Sequence, residues 1–274
     1  MNPFQDKVAM VTGGASGIGR ALCEELARRS AVVIVADING AGAQEVAAAI
    51  HALGGRTEAA RLDVASAAEV EKAINDTASN HGRLDYLFNN AGIIVLGELR
   101  DVTMEHWRRI VEVNLLGVAY GTTAAYGVMA RQGFGHIVNT ASLGGLIPSP
   151  ALSLYAATKY AVVGFSTSLR EEAASLGVKV SVVCPGLVRT NIPDRTTYLN
   201  VGKEEYLARL PWRWMMDPSK AAKAILRGVA RNRAIIVCPG HVRVLWWCYR
   251  LWPPLFTPLF RGSLREFRKL RMSS

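Results

Sequence analysis

Short apolar runs rich in β-branched residues recur along this chain with longer stretches of helical period between them. That alternation leaves few folds open, because it is the pattern of βαβ units joined into a parallel sheet. The runs at 8–12, 31–37, 84–89, 136–142, 178–184 and 234–237 read as buried strands, with a further short strand near 57–62. Helical patterns occupy 17–29, 40–53, 66–81, 103–131, 153–176 and 218–230. Ser66 with Glu69 predicts a capping box, and Asp217 ahead of Pro218 predicts an N-cap with proline in the first turn. Right-handed crossovers then give an α/β, doubly wound parallel sheet whose ligands sit at the carboxyl ends of the strands near the switch point. A chain of 274 residues, 50% of them hydrophobic, can bury such a sheet as a single domain, here 1–240, followed by a C-terminal extension, 241–274.

The first strand runs straight into Thr12-Gly13-Gly14-Ala15-Ser16-Gly17-Ile18-Gly19, and a helical pattern starts inside that turn. Glycines there permit a tight turn and a close backbone approach to a pyrophosphate, and the helix N-terminus offers amide donors and a favourable dipole. Alone, the turn equally suits an ordinary strand-to-helix connection. Asp37 at the end of the second strand adds to it, standing where a carboxylate reaches the adenosine ribose hydroxyls. A 2′-phosphate would meet that carboxylate with no Arg or Lys in the turn or at positions 38 and 39 to offset the repulsion, so the choice favours NAD. Arg20, just inside the helix, reads as solvent-facing. Asp63 and Val64 follow the third strand, where they suit the adenine ring or simply a loop start. Asn89-Asn90-Ala91-Gly92 ends the fourth strand with small residues that let the backbone pass close to a cofactor.

Tyr155 and Lys159 lie four apart in a helical segment and share one face. A free phenol titrates near ~10, and an adjacent ammonium is expected to lower it toward useful proton exchange. By itself the pair also suits an exposed helix surface. Ser142 ends the fifth strand, and Gly144, Gly145 and Pro148 let the chain fold back so that its hydroxyl can orient a substrate carbonyl. Asn114 is a poor helix former placed mid-helix, which predicts a bonding role for its side chain, either at a site or as a satisfied buried group.

Taken in order, these motifs resemble the short-chain dehydrogenase/reductase family over about residues 6–238. The resemblance implies a Rossmann-type cofactor turn at Gly13, Ser16, Gly17, Ile18 and Gly19, NAD selection by Asp37, adenine contacts at Asp63 and Val64, and cofactor support from Asn90, Ala91 and Gly92. It implies a catalytic tetrad of Asn114, Ser142, Tyr155 and Lys159, with Tyr155 and Lys159 also touching the cofactor. Pro185, Gly186, Val188 and Thr190 match the segment that meets the nicotinamide. Cys184 stands where many members carry asparagine. The implied activity is hydride transfer between NAD and a secondary alcohol or ketone, in a homodimer or homotetramer built on the helices at 103–131 and 153–176. An NADPH-dependent ketone reductase and a non-catalytic NAD-binding regulatory protein are the alternatives. The family's substrate loop falls at 190–216. Its Tyr198, Leu199, Tyr206, Leu207, Leu210, Trp212, Trp214, Met215 and Met216 either line an apolar substrate pocket or pack the loop onto the body.

Cysteines at 23, 184, 238 and 248 have neither disulfide-framework nor metal spacing, and none of the five histidines has a ligand or triad context, so no metal is expected. The N-terminus carries no secretory pattern, which predicts a cytoplasmic protein. The net charge of +10 is concentrated in the extension, where seven Arg or Lys face only Glu266 and carry +6. No nucleic-acid motif accompanies it, so no nucleic-acid partner is expected. The stretch 244–260 is aromatic but is interrupted by Arg250, Pro253, Pro254 and Pro258, and is too short to span a bilayer. Followed by the basic run 265–271, it suits a membrane surface, a lid or a subunit contact.

Overall fold

The computed structural model describes residues 2–271. Among them run nine strands: β1 (Val8–Thr12), β2 (Val32–Asp37), β3 (Arg56–Arg61), β4 (Tyr86–Asn89), β5 (Val95–Leu96), β6 (Gly135–Thr140), β7 (Val178–Pro185), β8 (Thr197–Tyr198) and β9 (Ile235–Cys238). Ten α-helices accompany them: α1 (Gly17–Arg28), α2 (Gly40–Ala52), α3 (Ala67–His81), α4 (Met104–Val111), α5 (Gly117–Gln132), α6 (Ser153–Ala173), α7 (Lys203–Ala208), α8 (Pro218–Ala230), α9 (Gly240–Leu251) and α10 (Thr257–Arg268). Seven strands form one all-parallel sheet in the order β3-β2-β1-β4-β6-β7-β9, the doubly wound arrangement expected from the alternation.

Both faces of the sheet are covered, which is why its strands read as continuous apolar runs. Ala9 and Val11 of β1 point into a cluster with Leu22 and Leu26 of α1 and Ile225 and Leu226 of α8. The alternate residues Val8 and Met10 enter the opposite cluster with Ile74 of α3, Met129 of α5 and Leu169 of α6. Each such side chain fully withdrawn from water contributes roughly 1.5–3 kcal/mol. Between the faces lies a closed polar network. Asn89 donates to Asn139 (2.9 Å) and Thr122 (3.2 Å), and Asn139 donates to Ser166 (3.0 Å), tying β4 and β6 to α5 and α6. His136 is buried on β6 within 2.8 Å of Ser181, and burial holds its imidazole down at about 3, so it is a neutral structural residue.

Two local expectations are corrected. The helix at 103–131 is interrupted by a π-helical turn, Glu112–Leu116, that contains Asn114. The second half of the predicted box at Ser66 does not form. Ser66 accepts from the Glu69 amide (3.3 Å), but the Glu69 carboxylate accepts from Asp63 N–H (3.2 Å) and pairs with Arg61. A reciprocal box stands instead at Thr103, where His106 Nδ1 takes the place of a carboxylate. Asp217 caps α8 as expected, accepting from the Ser219 and Lys220 amides.

The extension is two helices bent at Trp252–Phe256, where prolines prevent a continuous rod. Leu245, Trp246, Tyr249 and Phe260 pack on Ile147, Val162, Val182 and Cys184. The basic run is largely paired within the chain. Arg268 donates to Glu98 (2.6 Å), Arg271 to Asp101, and Lys269 to Glu266 (2.6 Å). These contacts hold the Glu98 and Asp101 carboxyls below their ordinary range, with Arg268 the leading cause at Glu98 and Arg271 at Asp101.

Candidate active site

A cavity of about 390 Å³ opens along the carboxyl ends of β1, β2, β4, β6 and β7, over the point where the strand order reverses. That is where a doubly wound sheet leaves a crevice, because the connections from β1 and β4 depart to opposite faces.

One end of the cavity is built by the glycine turn. Gly13 takes a left-handed conformation (φ +67°), and a Cβ there would lie 2.9 Å from Ala91 Cα; a Cβ on Gly19 would overlap the Gly13 carbonyl oxygen. The turn is stitched to β4: Thr12 Oγ1 accepts from the Asn90 (3.0 Å) and Ala91 (3.1 Å) amides, and Asn90 Nδ2 donates to Thr12 O (3.1 Å). Ser16 occupies the N-cap of α1 without bonding an amide of the first turn, so those donors and the positive end of the dipole face the cavity. Gly13, Ser16, Gly17 and Ile18 line it; Gly19 lies behind them, where its missing side chain lets α1 approach. Asp37 closes β2 in the same wall. Its carboxylate accepts from Ala15 N–H (3.0 Å) and Asn39 N–H (2.9 Å), which fixes its orientation beside the turn. Asp63, Val64, Asn90, Ala91 and Gly92 line the adjoining wall.

The other end carries the acid–base groups. Ser142 follows β6 and accepts from the Gly144 amide (3.2 Å), while Tyr155 and Lys159 rise from the first turns of α6. All three line the cavity. Lys159 is 3% exposed and donates to the Thr140 carbonyl (2.9 Å). Its Nζ stands 5.6 Å from the Tyr155 ring centroid. Burial pushes Lys159 down to about 8, so it is still mostly charged near neutral pH but loses its proton well below the ordinary lysine range. The Tyr155 phenol moves opposite to the sequence expectation. Burial raises it, and the hydrogen bond from Ser142 only partly opposes this, because desolvation of a phenolate outweighs one donor.

Asn114 does not reach the wall. It is fully buried behind it, accepting from Ile93 N–H (2.8 Å) and donating to Ile93 O (2.9 Å), so the π-helical turn holds the strand exit after Gly92 in place. A Cβ on Gly92 would stand 3.3 Å from Asn114 Oδ1 and 3.5 Å from Lys159 Nζ, which makes Gly92 the narrow partition between them.

Pro185, Gly186, Val188 and Thr190 line the floor beyond β7, and Thr190 packs on Gly17 across the cleft. The substrate loop divides between its two readings. Tyr198, Tyr206, Leu210 and Met215 line the cavity, whereas Trp214 is 80% exposed and Leu199 packs on Val95, Ile110 and Leu154. β8 pairs with β5, bringing Leu96 into the wall beside Tyr198; this short pairing leaves no periodicity to read in advance. Arg109, Ile38, Thr140, Leu152 and Arg195 also line the cavity and were not foreseen. Ile38 follows Asp37 directly and was legible by position, while Thr140 acts through its carbonyl, which no side chain signals. Among the described residues nothing from 241 onward lines the cavity. The extension instead buttresses it, since Leu264, Phe267 and Leu270 pack against Leu96, Tyr198 and Tyr206.

Comparison with known proteins agrees with this geometry. A family model described as short chain dehydrogenase matches residues 7–198. A cyclohexanol dehydrogenase of Acinetobacter sp. is 38% identical over 192 residues, covering 69% of this chain and 76% of that protein. A cyclopentanol dehydrogenase of Comamonas sp. is 36% identical over 190 residues, covering 69% and 76%. The crystal structure of a short chain dehydrogenase/reductase from Burkholderia phymatum in complex with NAD superposes with a TM-score of 0.84 at 27% identity, over 93% of this chain and 96% of that one.

Proposed function

Since this chain belongs to the short-chain dehydrogenase family and is an oxidoreductase of that family, we propose that it oxidises apolar secondary alcohols, or reduces the matching ketones, with NAD. The observation that carries this reading is the convergence of Ser142, Tyr155 and Lys159 on the cavity that also holds the glycine turn. The residues present suit a dinucleotide: a cradle that a single Cβ on Gly13 or Gly19 would fill, uncapped amides at α1, and a buried carboxylate, Asp37, ahead of Ile38 rather than a cation. When bound, NAD supplies the hydride acceptor. The solved relative holds NAD, which supports the same choice here.

In this mechanism Ser142 Oγ bonds the substrate oxygen and Tyr155 Oη removes its proton. Burial raises the phenol above its ordinary value, so the Lys159 ammonium, standing 5.6 Å from the ring centroid, serves to stabilise the phenolate form in which Tyr155 accepts that proton. Lys159 also anchors to Thr140 O, which keeps its ammonium in place. Asn114 acts at one remove, by fixing Ile93 and so the partition at Gly92. Leu96, Leu152, Leu187, Tyr198, Leu210 and Met215 provide apolar walls for the substrate, in keeping with relatives named for cyclic alcohols. Assembly as a homodimer or homotetramer through α4, α5 and α6, in the cytoplasm, belongs to the same reading. The test is a panel of apolar secondary alcohols offered with NAD and with NADP, read as the absorbance of the reduced cofactor. No turnover of any member, or a preference for NADP, would overturn the assignment.

A further inference from the structure

Helix α9 is apolar on both faces. Its inner face, Val242, Leu245, Trp246 and Tyr249, lies on the core, as helical spacing requires. Val244, Trp247 and Leu251 recur at helical spacing on the opposite side, and all are exposed, Leu251 by 80%. The stripe continues through Trp252 and Leu255 at the bend, each 68% exposed, to Leu259 at the start of α10. Six exposed valine, tryptophan and leucine side chains within sixteen residues are more than the scattered apolar residues of an ordinary surface. Neither helix is long and apolar enough to cross a membrane, so the feature lies on a surface if it meets a lipid phase.

The charges beside this stripe select the occupant. Arg243, Arg250, Arg261 and Arg265 are exposed and have no ion-pair partner among the described residues; Arg250 stacks its guanidinium over Trp247 at 5.8 Å from the ring centroid. The carboxylates nearby are engaged: Glu98 by Arg268 and Arg100, Asp101 by Arg271, and Glu266 by Lys269 and Arg209. A second copy docked face to face would set these arginines against their own counterparts, with no free acid to offset them. An anionic bilayer offers both an apolar phase for Trp247, Leu251, Trp252 and Leu255 and negative headgroups for the arginines. We propose that the α9–α10 hairpin is a membrane-surface anchor, seated in the headgroup region of anionic phospholipid through this stripe. Within the basic run at 265–271, Arg268 and Arg271 hold the hairpin to the body and Lys269 pairs with Glu266 on the same helix, so the charged element is the set of four unpaired arginines, of which only Arg265 lies in that run. Because α10 also buttresses Tyr198 and Tyr206, the anchor is joined to the wall of the cavity that receives the apolar substrate.

The experiment is co-sedimentation of the full-length chain with phosphatidylcholine/phosphatidylglycerol vesicles and with pure phosphatidylcholine vesicles, at low and high salt. Wild type is expected to partition at least about tenfold better onto the anionic vesicles, with the difference shrinking in salt. Replacing Arg243, Arg250, Arg261 and Arg265 by Gln should remove that preference. The double variant Leu251→Glu, Leu255→Glu should lose binding about tenfold or more on both vesicles. Both residues are largely exposed, so an unchanged thermal melt checks that the fold is intact. Sedimentation velocity without lipid should give the same coefficient for wild type and double variant. Failure of wild type to bind anionic vesicles at low salt, or undiminished binding by the double variant, would overturn the proposal. So would dissociation of an oligomer in the double variant, which would make this face a subunit contact.

Discussion

Lys159→Met separates what the site demands from what the fold prefers. Lys159 is buried, and its pKa falls from 10.5 to about 8, a difference worth about 3 kcal/mol at about 1.4 kcal/mol per unit. Methionine has a similar length and no charge, so the replacement removes that cost near neutral pH while leaving Thr140 O without its donor, a loss of about 1–3 kcal/mol. The expected balance is a gain of about 0–2 kcal/mol. In a chain of this size that corresponds to a Tm higher by up to roughly 6 °C in the cofactor-free protein. The pH dependence follows from the direction of the shift. Below about 8 the folded wild type carries a charge it disfavours. Between about 8 and 10.5 the unfolded chain binds more protons than the folded one, so wild-type stability rises with pH and the variant's advantage shrinks. Calorimetric melts of both proteins at about pH 7 and about pH 10 measure this, with turnover of a secondary alcohol assayed in parallel. Activity should fall at least about a hundredfold even as Tm rises. A variant less stable than wild type at neutral pH, or a Tm difference that does not change with pH, would refute the reasoning.

Tyr155→Phe removes only a hydroxyl from a site built by other residues, so turnover should drop at least about a hundredfold while calorimetric titration shows NAD affinity retained; near-normal turnover would eliminate Tyr155 as the proton-transfer group. Asp37→Ser with Ile38→Arg replaces the carboxylate at the end of β2 with a hydroxyl and sets a cation next to it in the cavity wall, so on the proposed reading the ratio of kcat/KM for NADP over NAD should rise; an unchanged ratio would mean that Asp37 does not select the cofactor. Gly19→Ala forces a Cβ onto the Gly13 carbonyl, so the turn must open, at a cost of roughly 1–3 kcal/mol in stability and with loss of dinucleotide binding measured by fluorescence titration; wild-type affinity would show that the turn is not the cradle.

The sheet, its parallel sense and the helices between its strands were legible from the chain alone. Strands buried on both faces must be apolar throughout, and helices packed on one side must repeat near 3.6 residues, so these local periods report the layers directly. The glycine turn and the Tyr155/Lys159 spacing were legible for a related reason: each is a short-range arrangement set by one turn or one helix. What local pattern could not convey was the balance of forces at sites assembled from distant segments. The upward displacement of Tyr155 comes from burial beneath several elements at once, not from its neighbour four residues on. The π-helical turn at Asn114 exists because a side chain on one element bonds the backbone of Ile93 on another, twenty-one residues away. The extension shows the difference most plainly. Its composition marked it as aromatic and basic, but only the packing of Phe267 near Tyr198 and the pairing of Arg268 and Arg271 with Glu98 and Asp101 decided which charges are held inward and which apolar face is left to solvent. Composition belongs to the sequence, whereas the pairing of residues about 170 positions apart is decided only when the chain has closed around its core.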